Sequence, residues 1–258
     1  MSDRDSVHQG VRRVVVENLG SGLIAVAPSD EPDRLECELH AVDEQVLAEV
    51  QVRQEQDTLR LTFPTRLVHD ASVDLRLRVP AGLEYLIKAG SADIAFSADM
   101  GRSKISSGSG NIALARTVDL ECSTGSGDIS VVRMDGTGGR VSAGSGNVSL
   151  GEVHCPVTAK SGSGDVTVQS VHHASVQANS ASGDITVDST SGSVDLRTAS
   201  GGLSIGVADQ LPAWLDLQSV SGEIRISLES SAEPTPGEPY VSVRGRTASG
   251  DITVYRAA

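Results

Sequence analysis

From residue 91 onward, apolar residues recur in two columns behind one short polar phrase. The phrase is a Ser two places before a polar or small residue and an aliphatic one place after it, as in Ser109-Gly110-Asn111-Ile112, Ser126-Gly127-Asp128-Ile129 and Ser182-Gly183-Asp184-Ile185. One place after the Asp/Asn position stand Ile94, Ile112, Ile129, Val148, Val166, Ile185, Leu203, Ile224 and Ile252. Three places after it stand Phe96, Leu114, Val131, Leu150, Val168, Val187, Ile205, Ile226 and Val254. A spacing of two along a strand puts both columns on one face, and their uniformly aliphatic or aromatic content predicts that this face is buried. A second strand precedes the turn, with Ile105, Cys122, Val141, Ala159, Ala178, Leu196 and Leu217 six places before the Asp/Asn position and Leu120, Val157, Val176, Val194, Leu215 and Val243 eight before. Val118, Met134, Val153 and Val171 indicate a short third face.

The phrase occurs nine times, and its third residues lie 18, 17, 19, 18, 19, 18, 21 and 28 positions apart. One structural unit of about 18 residues is therefore stacked, and a parallel β-helix is the expected architecture for residues 91–258. The 21-residue interval is enlarged at 206–214 and the 28-residue interval at 229–240, and insertions of this kind become surface loops. Residues 11–90 lack the phrase but alternate in period two, as in Val73, Leu75, Leu77 and Val79 between Asp74, Arg76 and Arg78. They are read as an N-terminal β region capping the stack, because an uncapped solenoid end leaves unpaired backbone. Residues 41–50 fit either a short helix or another strand, and residues 1–10 are expected to be disordered.

Composition narrows the picture. The chain has 258 residues, 38% of them hydrophobic, and only six aromatics, so Val, Ile, Leu and Ala must fill a narrow, regular core. With 34 acidic against 21 basic residues the net charge is −13, which opposes binding to nucleic acid or anionic lipid. The start lacks the basic patch and apolar run of a secretory signal, and no stretch approaches the roughly 20 apolar residues of a membrane span. No direct membrane insertion and a cytoplasmic location are the expectations. Three cysteines, Cys37, Cys122 and Cys155, form no even disulfide framework.

The Gly-rich phrases are not a dinucleotide fingerprint, which occurs once, before a helix, and needs a third Gly. They read as tight corners in which Gly supplies positive φ and the phrase's Ser bonds nearby backbone. Stacked Asp suggests calcium, but Asp128 directly follows Gly127, unlike the spacing of calcium-binding nonapeptides, and Asn alternates with Asp in the column. Amide ladders between stacked Asn and Asp account for the same pattern. Asp135, His154 and His172 lie seven places after their Asp/Asn, and Cys155 and His173 eight. These are ligand types for zinc, so the five are candidate metal ligands, although a polar corner that uses His explains the pattern as well. No cofactor is implied. Trp214 should face outward by alternation, and with Pro212 and Tyr240 it forms the candidate partner-binding set.

The repeated Ser-Gly-Asp/Asn-Ile/Val phrases, preceded by the strand Val73–Val79 and Pro80-Ala81-Gly82-Leu83, resemble a bacterial β-strand-repeat family of unknown function, adhesin-like by label. The resemblance covers the chain from about residue 11 to the end. It implies a right-handed parallel β-helix, roles at the cell envelope or in envelope-stress signalling, and no catalytic residues. The expected function is a non-enzymatic scaffold or protein-interaction module with a protein partner, and oligomers by stacking or edge pairing are compatible with it. The alternative is a carbohydrate-binding or polysaccharide-active β-helix, which would need a groove with paired carboxylates and stacking aromatics.

Overall fold

The computed structural model describes residues 2–64, 72–209, 211–229 and 239–257. Among the described residues the fold is all-β apart from one short helix, and the chain divides into two compact units, Met1–Asp128 and Ile129–Ala258. Among the described residues no helix is long and apolar enough to cross a membrane, which says nothing about crossing by strands.

The first unit contains β1 (Ser2–Gln9), β2 (Arg13–Leu19), β3 (Leu23–Pro28), β4 (Arg34–Ala41) and α1 (Glu44–Glu49). It continues through β5 (Gln51–Glu55), β6 (Thr58–Thr62), β7 (Val73–Val79), β8 (Leu83–Ala89), β9 (Asp93–Phe96), β10 (Met100–Ser107) and β11 (Ile112–Thr124). One ladder runs β1, β4, β7, β3, β9, β11 and the other β5, β6, β2, β8, β10, β11. Strand β11 is long enough to serve both. The pairs β1–β4, β4–β7 and β5–β6 are antiparallel and the rest parallel.

Two expectations change here. Residues 2–9 are not disordered: they form β1 and pair with β4 along its whole length. Parallel stacking does not begin at residue 91 either, since β2 and β3 already lie in the ladders beside β8 and β9. The ambiguous stretch 41–50 is helical, because the Asp43 carboxylate accepts from Gln45 N at 2.9 Å and caps a turn that buries Val46 and Leu47.

The second unit contains β12 (Ile129–Ala143), β13 (Val148–Val153), β14 (Val157–Ser161), β15 (Val166–Val171), β16 (Ser175–Ser180) and β17 (Ile185–Thr190). It ends with β18 (Ser193–Thr198), β19 (Leu203–Val207), β20 (Ala213–Ser219), β21 (Ile224–Ser227), β22 (Val241–Thr247) and β23 (Ile252–Arg256). Every pairing described in it is parallel. Ile129, Val148, Val166, Ile185 and Leu203 stand side by side, as do Val141, Ala159, Ala178 and Leu196. Each is almost fully buried, and burial of this continuous aliphatic column stabilises each strand against its neighbours.

The last coils depart from chain order. Strand β18 pairs with β22, and β22 with β20; β19 pairs with β23, and β23 with β21. The C-terminal strands are therefore inserted, and β20 with β21 is left outermost. The same device appears in the first unit, where β2 and β3 lie between β6/β7 and β8/β9.

Candidate functional site

Polar side chains at two positions of the repeat hold the coils together. A buried Ser or Thr four places before the Asp/Asn donates to a Gly carbonyl of the neighbouring coil and accepts the N–H of the Gly three places on. Thr198 Oγ1 reaches Gly183 O at 3.0 Å and Gly201 N at 3.1 Å; Ser161 Oγ reaches Gly146 O and Gly164 N, both at 2.9 Å. Thr124 and Ser180 repeat the arrangement. The hydroxyl expected of the phrase's own Ser is supplied here by a different residue, missed because Ser and Thr share this position and Ala143 interrupts it.

The Asp/Asn column forms a ladder onto backbone. Asp165 N donates to Asn147 Oδ1 at 2.9 Å, Asp184 N to Asp165 Oδ1 at 2.8 Å, and Gly202 N to Asp184 Oδ1 at 2.7 Å. The column is a stack of acceptors for N–H groups, serving Asn and Asp equally.

The glycines also act differently from expectation. None of the phrase glycines has positive φ; among the described residues the glycines that do are Gly10, Gly22, Gly82 and Gly136. A Cβ on Gly164 would stand 2.2 Å from Gly146 O, and one on Gly183 2.1 Å from Gly164 O. Close approach of backbone to backbone, rather than turn conformation, excludes a side chain there.

Of the five candidate metal ligands, the structure brings two imidazoles together. The rings of His154 and His172 stack with centroids 4.5 Å apart and planes 12° from parallel. His154 Nε2 lies 3.4 Å from Glu152 Oε2, and His172 Nε2 3.1 Å from Ser170 Oγ. Cys155, at the bend between β13 and β14, is buried in the core. His173 has φ +50° and donates its N–H to Ser191 Oγ. The guanidinium of Arg133 occupies the carboxylates of Asp135 and Glu152 at 3.0 and 2.7 Å. Among the described residues no group of three or more His, Cys, Asp or Glu is arranged to hold a metal.

Exposed apolar surface gathers on the outermost coil. Ile224 and Ile226 belong to the columns expected to be buried, yet they are 41% and 51% exposed, while Leu203, Ile205, Ile252 and Val254 are at most 2%. Insertion of β22 and β23 leaves no strand beyond β21 among the described residues, so its apolar face has no neighbour. Leu215 and Leu217 are half-buried on β20. Trp214 faces outward at 49% exposure, Val220 follows at 78%, and Tyr240 is 50% exposed. Ala213 pairs with Val241, so Pro212, Trp214 and Tyr240 fall on adjoining strands. Pro212 is half-buried and accepts Val241 N, and Arg256 donates to the carbonyls of Ala208 and Leu211, tying down the 206–214 loop. The 229–240 loop lies mostly outside the described residues. The signal missed in the sequence was the order of stacking, which turns two core positions into surface.

A groove of about 370 Å³ runs across β14, β16, β18 and β22, past Thr158, Gln177, Asp195 and Arg244. It is lined by one carboxylate and no aromatic ring.

Residues 45–256 match the family described as Toastrack DUF4097, a domain of unknown function. The chain belongs to that family. Among solved structures, the Toastrack chain is similar to one from Parabacteroides distasonis described as a candidate lipid-binding protein, at 17% identity and a TM-score of 0.50, covering 98% of this chain and 96% of that one. It is also similar to candidate adhesins from Bacteroides fragilis (14% identity, TM-score 0.46, 98% and 97% covered) and Parabacteroides merdae (13%, 0.46, 80% and 92%). At these identities the likeness concerns the fold alone. No curated protein matches the Toastrack chain.

Proposed function

We propose that this Toastrack chain is a non-enzymatic interaction module that binds a protein partner through the coil of β20 and β21. The observation that carries the reading is the exposure of Ile224 and Ile226 in columns that are otherwise buried, on the same coil as exposed Trp214 and Val220, with exposed Tyr240 at the head of the adjoining strand. The Ser/Thr four places before the Asp/Asn position, and the Asp and Asn themselves, are committed to backbone groups of their own and neighbouring coils. The parallel ladders favour a parallel β-helix, and its hand is taken as right because about 98% of crossovers between parallel strands of one sheet are right-handed. A photo-crosslinking residue placed at Trp214 should give a discrete product in the native cell, whereas one at Thr167, on the small polar face of β15, should not. Equal labelling from both positions, or none from Trp214, would overturn the reading.

A further inference from the structure

We infer that the outer edge of β21 pairs antiparallel with the same edge of a second copy of this chain, centred on Ile224. This rests on the surface reading above and names its partner.

The backbone of β21 sets the geometry. Glu223 turns both of its groups toward β23: its N–H donates to Asp251 Oδ1 and its carbonyl accepts from Ile252 N, each at 2.9 Å. In a parallel strand successive residues direct their N–H and C=O to opposite sides, so Ile224 and Ile226 aim theirs at the outer edge. Among the described residues no strand takes them. The first unit finishes its ladders differently. Its edge strands are β1 and β5, antiparallel and rich in Asp, Arg, Gln and Glu, and α1, which buries Val46 and Leu47, packs on β4 and β1. Polar, covered edges resist pairing; a short edge flanked by exposed Ile invites it.

Charge selects both the partner and the register. An antiparallel pair centred on Ile224 sets Glu223 of one copy opposite Arg225 of the other, twice by symmetry, and places Gly222, which has no side chain, opposite Ile226. Centring on Arg225 would set guanidinium against guanidinium, which destabilises a cross-strand pair. In the favoured register the apolar faces of the two copies close over each other's Ile224 and Ile226. Within one chain Arg225 also contacts Glu223 and reaches Asp251 at 3.3 Å, so both charges are already held at the edge before a second copy arrives.

Sedimentation of the full chain over a concentration series tests the pairing. The wild-type protein should reach a dimer, and Glu223→Arg and Arg225→Glu should each weaken dimerisation by roughly tenfold or more while circular dichroism stays unchanged. Mixing the two variants should restore a dimer, because each reversed strand then meets its complement; loss of folding alone could not produce that rescue. A monomeric wild type, or a dimer indifferent to both substitutions and to mixing, overturns the inference. A monomer that still crosslinks to another protein through Trp214 overturns self-pairing and leaves the surface reading standing; a monomer with no such product removes both.

Discussion

Val194 pairs with Val243, not with Leu215, although Leu215 belongs to the next coil along the chain. One register position further, this order places Arg244 between Asp195 and Asp216, with Nε donating to Asp216 at 3.0 Å and Nη1 lying 4.0 Å from Asp195. Stacking in chain order would have put Asp195 directly against Asp216. The inserted strand thus relieves a like-charge contact and gives Asp216 a cation, while Asp195 is held chiefly by Arg197 of its own strand at 2.9 Å.

Arg244→Glu should therefore set three carboxylates in a row across β18, β22 and β20. The expected loss is about 1 kcal/mol, since the pair is partly solvated, and added salt should recover part of it. Urea denaturation at low and high ionic strength measures both; an unchanged midpoint at low salt would mean that Arg244 has no part in the order.

Gly164→Ala and Gly202→Ala should separate sharply. A Cβ at Gly164 would overlap Gly146 O, whereas at Gly202 its nearest neighbour is 3.5 Å away. Backbone cannot yield as a flexible side chain can, so Gly164→Ala should cost about 3 kcal/mol or more and Gly202→Ala should be close to neutral. Thermal melts of the two variants side by side provide the comparison.

Thr198→Val keeps the side-chain volume and removes the hydroxyl that joins Gly183 O to Gly201 N. Two buried backbone groups would lose their partner, for about 2 kcal/mol in all, and Thr198→Ser should retain most of the stability. Chemical denaturation with an unchanged slope would show that the loss belongs to the folded state.

Alkaline pH should destabilise the first unit. Burial pushes the Cys37 thiol up to about 11 and the Cys122 thiol up to about 12 from an ordinary 9.0, and pushes the Tyr85 phenol upward as well. For Cys37, the hydrogen bond from Ser6 and the nearby Arg4 offset part of the rise. Groups raised in the folded state favour folding fully below their unfolded value and lose that contribution as pH climbs through the folded value. Stability should hold to about pH 9 and then fall toward pH 12, by about 1.4 kcal/mol per pH unit for each thiol that ionises only on unfolding. Cys122→Ala should make the decline shallower; a profile identical to wild type would show that Cys122 takes no part.

Period two in the apolar positions reports which face a side chain takes, so the buried columns through Val148, Val166 and Ile185, and the outward Trp214, could be read from sequence alone. The stacked Asp and Asn announced a ladder, but the one formed runs onto backbone N–H groups of the next coil and not between side-chain amides. What the pattern cannot report is which strand lies beside which. Every coil offers its neighbours nearly the same edge of N–H and C=O groups, so many orders satisfy the backbone equally. Side chains meeting across the ladder, Asp195, Arg244 and Asp216 among them, distinguish those orders, and they meet only when the coils are assembled. The exposure of Ile224 and Ile226 follows from that choice. The reason for the phrase's glycines was also tertiary, because the carbonyl a Cβ would strike belongs to another coil.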